Sequence, residues 1–113
     1  MKNILYVVIC LLALVACGPD YNAMIAEGEQ LVNDSDCGTC HHKTNNIVGP
    51  SHLAVAEKYE FNEANTKILG ERIIKGGAGV WGDIPMTAHT DLSVEDAEKM
   101  AMYVLSLDGE KPH

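Results

Sequence analysis

The chain has 113 residues, room for one domain with a limited core, and an aromatic content of 5%, low for a protein packing only its own side chains. Sixteen acidic against eight basic residues give a formal charge of −8, which excludes tracking along nucleic acid, whose phosphates would repel it. The same acidity suits solubility, or steering toward a basic partner surface.

The N-terminus reads as an address. Met1-Lys2-Asn3 is a short positive start, and Ile4 to Ala16 is an apolar run too short to span a bilayer comfortably. That is the shape of an export signal. Leu14-Val15-Ala16-Cys17-Gly18 resembles the bacterial lipobox, in which the cysteine becomes the lipidated first residue of the mature chain. The expected organisation is a lipoprotein signal peptide over residues 1–16, a lipidated tether over 17–21 beginning at Cys17, and a folded domain over 22–113. A plain transmembrane anchor and a conventional cleaved signal are the alternatives. Val15-Ala16-Cys17 lacks the small-x-small ending of the latter.

Within the folded part, Met24, Ile25, Gly28, Leu31 and Val32 predict a helix from about Asn22 to Asn33. A polar loop runs to Gly49-Pro50, and Leu53 to Tyr59 suggests a short helix. Ile68, Leu69, Ile73 and Ile74 at helical spacing predict another from about Glu63 to Lys75, stopped at Gly76-Gly77. Ser93-Val94-Glu95-Asp96 resembles a capping-box start for a last helix whose apolar face is Ala97, Met100, Ala101, Val104 and Leu105. No strand pattern stands out. The fold class expected is all-α, about four short helices with two long loops, and loops of that length need something to fold around.

Cys37-Gly38-Thr39-Cys40-His41 supplies that centre. C-x-x-C-H sets two thiols to bond the vinyl groups of a c-type haem while the next residue, His41, turns under the iron. A thioredoxin-like pair would follow a strand, a zinc site would need further ligands, and a structural disulfide would leave His41 unexplained. For the second axial position, Met24 and Met100 sit on helical stripes where core packing is the ordinary explanation, and Met102 falls off the main face, half exposed. Met86 alone lies in a loop, after Pro85, and is the expected ligand; His89 is its rival. His42 follows His41 and should point away, and His52 and His113 read as surface residues.

With these motifs in order, the sequence resembles a small bacterial class I cytochrome c from about residue 26 to 107. Val48-Gly49-Pro50 with Leu53 to Tyr59, Arg72 to Gly77, Gly79 to Met86, and Tyr103 to Leu107 carry the likeness. The resemblance implies that Pro50 offers its carbonyl to His41, that Trp81 and Arg72 hydrogen-bond a haem propionate, and that Gly28 and Tyr103 lie near a crossing of the first and last helices. Some relatives carry proline after the ligand methionine; Thr87-Ala88 stands here, so the Fe–S bond is expected to be more labile.

The function expected is an electron carrier with one covalent haem c, iron ligated by His41 and Met86, and no enzymatic activity. Its partners would be redox proteins with basic docking surfaces, met on the periplasmic side of a membrane that holds the lipid anchor. A haem-based ligand sensor, a peroxidase and a donor subunit fixed in one oxidase or reductase remain the competing functions.

Overall fold

The computed structural model describes residues 18–113, so the expected signal peptide and the lipidation site Cys17 lie outside the described residues. Helix α1 spans Tyr21–Asp34 and starts inside the stretch expected as tether, because the Asp20 carboxylate accepts a hydrogen bond from the Ala23 N–H at 3.1 Å. It ends where Ser35 turns extended and its hydroxyl bonds back to the Leu31 carbonyl at 2.7 Å. A short 3-10 turn, Asp36–Thr39, follows at once.

Helix α2 spans His52–Lys58, capped by the buried Ser51 hydroxyl, and α3 spans Glu63–Lys75, capped by Asn62. Gly76, at φ 67°, stops α3. Helix α4, Val94–Leu105, begins as its capping pattern implies: the Ser93 hydroxyl accepts from the Asp96 N–H at 3.1 Å, with Glu95 and Asp96 in the positive first turn. A second 3-10 turn, Ser106–Asp108, closes the ordered elements. No helix among the described residues is long and apolar enough to cross a membrane.

Helix α4 is the spine: α1, α2 and α3 all pack against it. At the α1–α4 crossing a Cβ on Gly28 would fall 1.9 Å from the Lys99 carbonyl oxygen, so the two backbones meet where a side chain is missing. Val32, Val55, Met100, Tyr103 and Val104 form one buried cluster. Phe61, Met102 and Leu105 form a second, each such side chain contributing about 1.5–3 kcal/mol of burial. Met102 is therefore core, not half exposed. Because α4 is covered from several sides, its buried surface is wider than the single stripe its periodicity suggests.

The other departure is a small antiparallel hairpin, β1 Gly77–Gly79 with β2 Gly82–Met86, Gly77 facing Met86 and Gly79 facing Gly82. Its residues are nearly all exposed. With no buried face there is no alternation to read, and glycine and Pro85 argue against strands on composition.

Candidate haem site

The two cysteines are brought together by local backbone. The Cys40 and His41 N–H groups both donate to the Cys37 carbonyl, at 3.1 and 2.8 Å, which folds C-x-x-C-H into one tight turn. Both thiols are free and half-buried. Burial, reinforced by the neighbouring Asp36, pushes the Cys37 thiol up from its ordinary value. A redox thiol pair needs the opposite shift, and α1 rather than a strand precedes the motif. Among the described residues no group of three or more His, Cys, Asp or Glu is placed to hold a metal ion.

His41 is held on three sides. Its Nδ1 lies 2.7 Å from the Pro50 carbonyl oxygen, and as that oxygen can only accept, Nδ1 carries the proton and Nε2 the lone pair. Gly49 flanks the ring so closely that a Cβ there would stand 2.6 Å from its Cε1. His52 stacks against it, ring centroids 5.3 Å apart and planes at 26°. His52 is thus not a surface residue as the sequence suggested. Burial is the main influence that pushes its pKa down, to about 4, so it is neutral at pH 7. The Ser51 N–H donates to the Asn46 side chain, and the His52 and Leu53 N–H groups donate to the His42 and Lys43 carbonyls, which carries α2 into this position.

Cys37, Cys40, His41, Pro50, Arg72, Trp81 and Met86 all line one cavity of about 310 Å³, whose walls are otherwise mainly apolar. Val55, Leu69, Met100 and Val104 supply the inner surface. Met86 closes β2 and is half-buried. Trp81 is 46% exposed, with the Lys58 ammonium 5.5 Å over its ring. Arg72 is half-buried on the last turn of α3 and joins no ion pair among the described residues.

His89 reaches the same cavity, but both ring nitrogens are engaged: Nε2 with Asp36 Oδ1 at 2.7 Å and Nδ1 with the Ile73 carbonyl at 3.3 Å. His42 accepts from the Thr44 and Asn45 N–H groups at 3.1 and 3.0 Å and caps its own exposed turn. Gly49, His52 and Asp36 belong to the site and were not singled out from the sequence. Their adjacency to Pro50 and Cys37 was the available signal.

This donor set fits a c-type haem. Two free thiols and an imidazole stand on one turn, the imidazole with Nδ1 bonded to Pro50 and Nε2 left over, a thioether stands elsewhere on the same cavity, and the walls between are apolar.

The chain matches the cytochrome c family over residues 25–108. The cytochrome c-552 of Hydrogenobacter thermophilus is 37% identical over 79 residues, covering 70% of this chain and 80% of that protein. The cytochrome c-551 of Stutzerimonas stutzeri is 36% identical over 107 residues, 95% of this chain and 99% of that one. Among solved structures, Nitrosomonas europaea cytochrome c552 superposes with a TM-score of 0.65 at 33% identity, covering 70% of this chain and 98% of the other. With its helical fold and C-x-x-C-H turn, the chain belongs to the cytochrome c family, as a small class I member that carries electrons on a covalently bound c-type haem.

Proposed function

We propose that the chain is a respiratory electron shuttle whose haem is bonded through Cys37 and Cys40, ligated by His41 and Met86, and held at its propionates by Arg72 and Trp81. A haem bound there supplies a one-electron change between ferric and ferrous iron. With His41 and Met86 both holding the iron, a bound haem would have no open site for a substrate, which would suit outer-sphere transfer rather than catalysis. Pro50 holds the His41 tautomer, and the apolar walls keep water from the metal. The observation that supports this reading best is the pairing of His41 Nδ1 with the Pro50 carbonyl on a cavity that Met86 also lines.

Cys17, after Leu14-Val15-Ala16, would carry the lipid and keep the domain on the periplasmic side of a membrane, where the tether raises its effective concentration near membrane partners. Its acidic surface would favour partners with basic docking faces.

An optical spectrum of the haem-loaded protein tests the ligation. A six-coordinate low-spin spectrum with the weak red methionine–iron(III) band is expected, and Met86→Ala should abolish that band while His89→Ala keeps it. A high-spin spectrum, or carbon monoxide binding to the reduced wild type at neutral pH, would sink the closed-site reading. Mass analysis of the mature N-terminus should find acylated Cys17, absent in Cys17→Ser.

A further inference from the structure

The loop after Met86 is the less supported side of the cavity. The hairpin that delivers Met86 is exposed along most of its length, and Thr87-Ala88 follows it without the stiffness of proline. His89 is where that loop is tied down. Its backbone N–H points at the Ile73 and Ile74 carbonyls, 3.2 and 3.0 Å away at the end of α3. Its ring then reaches 53 residues back along the chain to Asp36, next to Cys37. The ring is 18% exposed and the carboxylate 68%, so the pair sits at the rim with the imidazole on the inner side.

We propose that His89 is a positioning residue which, through Asp36, clasps the Met86 loop to the haem-attachment turn and thereby sets how readily the Met86 sulfur leaves the iron. The proposal rests on the assignment of Met86 as ligand. With an acceptor at each ring nitrogen, the doubly protonated imidazolium satisfies both contacts, whereas the neutral ring turns a lone pair toward one of them. The groups that face it agree. Hydrogen bonding to Asp36 is the main influence raising the His89 pKa; burial opposes it, while the charge of Asp36, the Ile73 carbonyl and Asp91 add to it. A raised folded-state value means that the clasp is complete below the ordinary histidine value of 6.5 and is lost as pH rises through the raised one.

The test is the rate, expressed per concentration of the neutral ligand, at which added imidazole displaces Met86 in the ferric, haem-loaded protein, followed by loss of the red band as a function of pH. Asp36→Asn and His89→Gln should each speed displacement at pH 6 by on the order of two- to fivefold, the scale of a partly solvated ion pair. The double variant should be no faster than the faster single one, since both changes remove one interaction. In the wild type the rate should step upward across the His89 titration, and in Asp36→Asn that step should move to lower pH. Glu63→Gln, which breaks an exposed pair on α3 with Lys67, serves as control and should change nothing. Unchanged rates in both single variants, strictly additive effects, or a wild-type rate flat with pH would each overturn the clasp. Asp36 is exposed, so Asp36→Asn keeps the test open even if His89→Gln disturbs folding. A red band that survives Met86→Ala would instead overturn the ligand assignment, whatever the clasp variants do.

Discussion

The two walls of the cavity are built by different means. The attachment wall, from Asp36 to Ser51, is knitted by short-range bonds: Cys40 and His41 to Cys37, Gly49 to the Cys40 carbonyl at 2.8 Å, Ser51 to Asn46, and His41 to Pro50. The methionine wall, from Gly77 to His89, is a thin exposed hairpin whose anchorage is distant in sequence, on the end of α3 and on Asp36. Local bonds form wherever the segment folds and hold the imidazole in one orientation. Long-range bonds form only once the helices have docked, so the methionine wall is the one expected to yield when ligation changes.

That contrast can be broken, beginning with its largest expected effect. Gly49→Val on the attachment wall should destabilise the haem-loaded protein by about 1–3 kcal/mol, since its side chain must displace a ring already pinned by Pro50 and His52. Ala78→Val on the exposed hairpin should cost less than about 0.5 kcal/mol by the same urea titration, and equal costs would erase the distinction. Acid should act next. Between pH 6.5 and about 4 the unfolded chain binds a proton that folded His52 refuses, so stability should fall as pH drops through that window. Allowing for its partial solvation, the loss is about 1–2 kcal/mol, and His52→Phe should abolish that part of the pH dependence. The cap on the attachment wall comes after these: Ser51→Ala removes the bond to the Ala54 N–H and should lower stability by about 1 kcal/mol while leaving the visible spectrum unchanged. A spectral change there would mean that α2 positions His41 more directly than its backbone bonds suggest.

Legibility in the sequence followed the range of the interactions. The four helices could be read because caps and apolar spacing act within a few residues, and Ser93 announces its helix by itself. The hairpin could not, since its strands are exposed except at Met86 and show no buried alternation. Met102 misled because a helical stripe describes one buried face, while α4 is packed on several. His52 misled for a similar reason: a histidine near a helix start carries no mark of the ring it will stack upon.

The sequence by itself determined the cofactor chemistry and the candidate ligands, because C-x-x-C-H places its reactive groups within five consecutive residues whose turn closes on its own backbone. Gathering Arg72, Trp81 and Met86 onto the same cavity as that turn was the work of the tertiary structure, through the packing of α1, α2 and α3 on α4. The tertiary structure alone decided what surrounds the ligands: Gly49 and His52 on the faces of His41, and Asp36 drawn to His89 across 53 residues. Contacts of that kind depend on how helices cross and how loops return, and no local pattern encodes them.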